Sequence, residues 1–105
     1  MGAMTSLLPH PAREEIRIEA VLHALADPVR LRIVRALAEH ADGLSCGVLD
    51  LGVTASTLTH HVRTLREAGV VHVRPRGTSR ISTLRRDDLD ALYPGLLNGL
   101  LAAPR

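Results

Sequence analysis

The stretch from Thr54 to Gly69, TASTLTHHVRTLREAG, limits the possible folds of this chain more than any other. Leu58, Val62 and Leu65 recur at i, i+4 and i+7, which places one apolar stripe along one face of a helix. Thr54 stands just ahead of the first turn, where its hydroxyl can accept from an otherwise orphaned backbone N–H. Gly69 closes the run as a residue able to turn left-handed past the last carbonyls. The face opposite the stripe carries Ser56, Thr59, His60 and Arg63. Small hydrogen-bonding groups lie near its start and cations further along, the side-chain chemistry of a helix that enters a DNA major groove. The periodicity alone fits a half-buried helix with a solvated polar face equally well. The residues beyond Gly69 favour DNA.

After Gly69 the period changes to that of strands. VVHVRPRGTSRISTLRR holds β-branched runs on either side of Pro75-Arg76-Gly77-Thr78-Ser79, which predicts a hairpin with a loop near five residues long. Its strands and tip present Arg74, Arg76 and Arg80. A hairpin following a recognition helix is a wing, able to straddle the DNA backbone or reach the minor groove. The charge distribution agrees. Although the formal net charge is only +2, residues 56–86 hold seven arginines against the single acid Glu67. A solvated charged face usually mixes signs, whereas this block is the footprint of a phosphate-binding surface. The chain has no lysine, a bias we assign mainly to the source genome.

At 105 residues the chain makes one domain with a modest core. With one tyrosine and neither phenylalanine nor tryptophan, that core is built from Leu, Val, Ile and Ala. It can lean on a partner subunit for buried area. The same scarcity disfavours sheets that stack single-stranded bases on aromatic rings. One cysteine rules out an internal disulfide and fits a reducing cytoplasm. No apolar run approaches a membrane span, and the N-terminus lacks a signal-peptide core.

Ahead of the central helix, residues 1–12 contain Pro9 and Pro11 and read as a flexible arm, with residues 1–3 vector-derived. From Arg13, REEIRIEAVLHALA predicts one helix with Ile18, Leu22 and Leu25 as its stripe and further apolar surface at Ile16, Ala20 and Val21. Apolar residues on more than one side suggest a subunit interface, the alternative being a fully buried core helix. Asp27-Pro28 caps a second helix with Val29, Ile33, Val34 and Leu37 inward, stopping near Asp42-Gly43. Ser45 then caps a short third helix, Cys46 to Leu51, so tightly linked to the helix at Thr54 that the pair makes a helix-turn-helix. Asp87 caps a last helical region that breaks near Tyr93 and restarts at Pro94. Its apolar face, Leu92, Leu96, Leu97, Leu100 and Leu101, has nothing beyond it in sequence to cover it, so we expect it to pack with the first helix around a two-fold axis.

ALADPVRLRIVRAL, TASTLTHHVRTLREAGVV and an arginine-tipped hairpin together resemble the ArsR/SmtB family of bacterial winged-helix repressors over residues 18–101. The fold this implies is mainly α with a small β-hairpin: a dimeric winged helix-turn-helix of about five helices. DNA binding and dimerisation occupy residues 13–101, and residues 102–105 form a tail. The resemblance further implies a repressor that binds double-stranded operator DNA, an imperfect inverted repeat, as a homodimer. It assigns DNA contact to Thr54, Ser56, Thr57, Thr59, His60 and Arg63, and the wing role to Arg76 and its neighbours Arg74 and Arg80. The implied dimer interface lies on the first and last helices, with Ile18, Val21, Leu22, Leu96, Leu97 and Leu100 as its residues.

Two departures concern sensing. Metal-sensing members often carry Cys-x-Cys in the third helix, where this chain has only Cys46. Others place histidines along the last helix, and none occurs here after His72. Ala55 also replaces a glutamine common at the start of the recognition helix. No cofactor is therefore expected. Nickel or zinc on imidazoles across two subunits is the remaining metal reading, with His10, His23, His40 and Cys46 as candidate ligands. His60 and His61, adjacent on a helix, point about 100° apart and suit DNA contact and structure better than one ion. Cys46 at a helix start could also be an oxidant-sensitive thiol. The sequence holds no glycine-rich phosphate loop, nucleophile motif or paired carboxylates, so an enzyme is not expected. A small effector, or a winged helix acting through a partner protein, stays open.

Overall fold

The computed structural model describes residues 8–49 and 51–105. Five α-helices lie among them: α1 (Ile18–Leu25), α2 (Pro28–Ala38), α3 (Ala55–Ala68), α4 (Arg86–Leu92) and α5 (Leu96–Ala102). Three strands, β1 (Leu44–Ser45), β2 (Val71–Arg76) and β3 (Ser79–Leu84), form an antiparallel sheet in the order β1-β3-β2. None of these helices is long and apolar enough to cross a membrane.

Local chemistry accounts for the two central helices. The Asp27 carboxylate accepts from the backbone N–H groups of Val29 and Arg30 at 2.9 and 3.0 Å, and Pro28 opens α2 where no N–H is needed. Thr54 accepts from the Thr57 N–H at 3.2 Å at the start of α3. Gly69 ends α3 in the left-handed region with φ +86°. A side chain there would also strike Ile16, whose Cγ1 lies 2.6 Å from the position a Cβ would take. Ile33, Val34 and Leu37 of α2 meet Leu58, Val62 and Leu65 of α3 in one core, joined by Val21, Ala24 and Leu25 of α1 and by Val70, Val71 and Val73.

Several boundaries differ from those the sequence suggests. The first predicted helix is split into a single 3-10 turn, Arg13–Glu15, and α1, with Ile16 and Arg17 extended between them. Ile16 is buried against Gly69, so a tertiary contact overrides helical continuity. Ser45 is not a helix cap but half of β1, paired with Ile81. The predicted third helix shrinks to one 3-10 turn, Cys46–Val48. Gly43, at φ +91°, makes this possible: a Cβ would lie 2.6 Å from the Ser82 carbonyl oxygen, so only glycine lets β1 close onto β3. The hairpin loop is tighter than five residues, because Arg76 pairs with Ser79 across Gly77-Thr78. Asp87 lies inside the first turn of α4 rather than capping it, and Arg85 at the cap position makes no side-chain cap. The break falls at Tyr93 as expected, but α5 begins at Leu96 after a left-handed Gly95, not at Pro94.

The stretch taken for a flexible arm is tied down from Leu8 onward. Pro9 and Pro11 carbonyls accept from Arg66 at 2.6 Å and Arg85 at 2.7 Å, and the His10 ring accepts from the Val73 N–H at 3.0 Å. Residues 1–7, including the three read as vector-derived, lie outside the described residues.

A candidate nucleic-acid interface

Burial of Leu58, Val62 and Leu65 fixes the rotation of α3, and the opposite face is therefore presented outward. Ser56, Thr59, His60 and Arg63 are all exposed on it, with Thr54 and Thr57 at its N-terminal edge. The hydroxyls at that edge are linked: Thr54 Oγ1 lies 2.9 Å from Thr57 Oγ1 and 3.3 Å from Ser56 Oγ. Arg63 donates to Glu67 at 3.2 Å, an exposed i,i+4 pair worth about 0.3–0.5 kcal/mol, which a phosphate or base edge can displace.

The rotation of α3 is also held by a buried cation that sequence reasoning missed. Arg30, only 9% exposed, donates through Nε to the Ala24 carbonyl at 2.6 Å and through Nη2 to the His23 carbonyl at 3.4 Å. These are the last carbonyls of α1, where a cation is favoured. Its Nη1 lies 3.0 Å from His61 Nδ1 on α3, and since a guanidinium only donates, that nitrogen must accept. Asp27 Oδ2 stands 3.9 Å from the same nitrogen. Hydrogen bonding to the Arg30 N–H, with Arg30 and His61 nearby, holds the Asp27 carboxyl below its ordinary range. One turn of α2 thus joins α1 to the recognition helix, and His61 points inward as its place in the helix suggests. The only sequence signal was an arginine at an inward-facing position of α2.

The register of the hairpin sorts the wing arginines. Val71, Val73 and Pro75 share a face with Arg80, Ser82 and Leu84, while Arg74 and Arg76 lie on the other. Arg80 lines a cleft of about 310 Å³ between α3 and the wing, with Leu8, Thr59, Val62, Arg63, Arg66 and Val73. Arg76 is exposed at the tip, whereas Arg74 reaches the Asp42 carbonyl at 3.4 Å beside the α2–β1 turn. Two arginines of the basic block, Arg66 and Arg85, do not face outward as its charge suggested, and a third, Arg86, is part-exposed but paired. Arg66 is buried on the Pro9 carbonyl, Arg85 bonds Asp88 and the Pro11 carbonyl, and Arg86 pairs with Asp90 and Asn98.

A helix-turn-helix domain family matches residues 25–74. Over 89 residues the chain is 34% identical to the HTH-type transcriptional regulator YceK of Bacillus subtilis, covering 83% of this chain and 88% of that protein. It resembles the solved transcriptional repressor BigR from Xylella fastidiosa with a TM-score of 0.59 and 27% identity, over 72% of this chain and 85% of BigR. A further crystal structure, of an ArsR family transcriptional regulator, superposes with a TM-score of 0.65 at 17% identity, over 78% of this chain and 90% of that one, a likeness of fold. The chain belongs to the ArsR family of winged helix-turn-helix transcriptional regulators.

As an ArsR-family protein it is a DNA-binding regulator and not an enzyme. Its expected dimer residues divide into two groups. Val21 and Leu97 are fully buried in the chain's own core and cannot meet a second subunit. Ile18 and Leu22 are 37% and 50% exposed, and Leu96 and Leu100 are half-buried. Of the metal-ligand candidates, His10 is removed, because its Nε2 is occupied by the Val73 N–H and its ring stacks on His72 at 4.2 Å. His40 Nδ1 bonds the Ala36 carbonyl at 2.9 Å, and His23 is exposed on α1. The Cys46 side chain lies outside the described residues. Among the described residues, no three His, Cys, Asp or Glu side chains converge as a metal site would require.

Proposed function

We propose that this chain represses transcription by binding an inverted-repeat promoter site as a homodimer. The reading rests chiefly on the outward face of α3, where Ser56, Thr59, His60 and Arg63 lie free of the core with Arg80 across the cleft. In that arrangement α3 enters the major groove, its first hydroxyls and free N–H groups meet phosphate, and His60 and Arg63 reach base edges. Arg76 and Arg80 then hold the neighbouring backbone. A two-fold partner would cover Ile18 and Leu22, large apolar side chains that water otherwise meets, together with the half-buried Leu96 and Leu100.

Sedimentation and DNA titration test this directly. A dimer should form at micromolar concentration and dissociate in an Ile18→Glu, Leu22→Glu double variant. With Arg76 and Arg80 from two subunits on phosphate, log K against log salt should have a slope of about −4. A wild-type monomer that binds duplex DNA without salt dependence would refute the proposal.

A further inference from the structure

The N-terminal strap, Leu8 to Pro11, touches both halves of the interface. Its Pro9 carbonyl accepts from Arg66 of α3, its His10 ring from the Val73 N–H of β2, and its Pro11 carbonyl from Arg85 where β3 meets α4. Leu8 itself lines the cleft between recognition helix and wing. The Val73 contact is a consequence of sheet geometry. β2 is an edge strand, and the Arg76–Ser79 pair closes the two-residue turn, so residues 71, 73 and 75 point their backbone polar groups to the open edge. Pro75 has no N–H to offer there, and Val73 is 3% exposed, so its N–H needs a protein partner. His10 Nε2 is that partner.

We propose that His10 is a positioning residue for DNA binding, whose neutral ring pins the wing to the strap and so sets its angle to α3, and whose protonation releases it. An N–H can only donate, so Nε2 must carry a lone pair for the pin to exist. Protonation would set two N–H groups against each other and leave a buried donor unpaired. The surroundings favour the neutral ring. Burial first, then His72 and the guanidiniums of Arg66 and Arg85, hold His10 below its ordinary value of 6.5, opposed by a hydrogen bond with the Leu8 backbone. The acids nearby are Glu15 of the first turn and Glu67 of α3, which share a surface hollow with His10. With the folded value depressed, the pin is fully present above the ordinary imidazole range and is lost as pH falls through the lower folded value. Two DNA-contacting elements held at a fixed angle bind better than two that must be ordered on contact.

This inference rests on the DNA-binding reading, and its test keeps the two apart. Wild type, His10→Gln and His10→Ala would be compared at fixed ionic strength between pH 7.5 and 5.5, on a fluorescent 30-base-pair mixed-sequence duplex, with Val73 amide exchange followed by NMR. Glutamine can accept at the Nε2 position but does not titrate, so it keeps the pin and removes its pH response. Relative to His10→Gln, wild type should lose affinity about tenfold on acidification, the scale of one buried hydrogen bond, as Val73 exchange quickens. His10→Ala should be weak and fast-exchanging already at pH 7.5. Identical pH profiles for wild type and His10→Gln, with DNA still bound, would overturn the role of His10 alone. No duplex binding by any of the three would overturn the DNA reading as well.

Discussion

Arg30 and Arg80 carry the same guanidinium into unlike surroundings beside α3 and do opposite work. Arg30 is enclosed, with donors directed at two helix-end carbonyls and a ring nitrogen, and it contributes to the relative placement of α1, α2 and α3. Arg80 stands exposed beside the cleft between α3 and the wing. Arg66 and Arg85 belong with the first, since both bond strap carbonyls. Arg63 and Arg76 belong with the second. Formal charge along a chain therefore overstates the surface offered to phosphate. Arginine suits the enclosed role because its flat fork can satisfy several acceptors without losing its proton.

The contrast predicts effects that separate stability from binding. Arg30→Met should have the largest effect. It leaves the Ala24 and His23 carbonyls and His61 Nδ1 without their donor and should lower stability by about 2–3 kcal/mol. Thermal unfolding should then begin roughly 10 °C lower. An unchanged melting temperature would mean that Arg30 is not the joint between these helices. Arg63→Ala should do the reverse, leaving melting within about 0.5 kcal/mol of wild type while costing about 1–2 kcal/mol of operator affinity. Equal losses on operator and random duplex would reassign Arg63 from base edges to phosphate.

Salt dependence sharpens the comparison within the basic block. Replacing Arg80 with methionine should reduce the salt slope by about 2 per dimer, whereas Arg66→Met should leave the slope alone and lower stability instead. If both substitutions flattened the slope equally, the division between enclosed and presented arginines would fail. The smallest effect concerns Asp88, which accepts from Arg13 at 2.7 Å and Arg85 at 2.9 Å. Those bonds hold its carboxyl below the ordinary value of 3.8, so its stabilisation is present above that range and lost as pH falls through the lower folded value. Asp88→Asn should be slightly less stable at neutral pH and lose less than wild type on acidification, as urea midpoints at pH 7 and pH 3 would report.

Much of this architecture is legible in the residues because its causes are local. The α3 stripe, its threonine cap and its glycine stop, and the Asp27-Pro28 start of α2, depend on side chains within a few residues of the backbone they act on. The outward face of α3 is a direct consequence, since burying Leu58, Val62 and Leu65 leaves Thr59, His60 and Arg63 no other direction. Pairings between distant segments were not legible. Gly43 admits β1 to the sheet only because the Ser82 carbonyl lies against it, and Ile16 breaks a helix only because Gly69 leaves it space. Two arginines counted in the basic block, Arg66 and Arg85, became internal struts because the Pro9 and Pro11 carbonyls, far along the chain, came within reach. A charge pattern records how many cations a segment holds. Which of them face water depends on where the folded backbone leaves a carbonyl unpaired, and tertiary structure alone decides that.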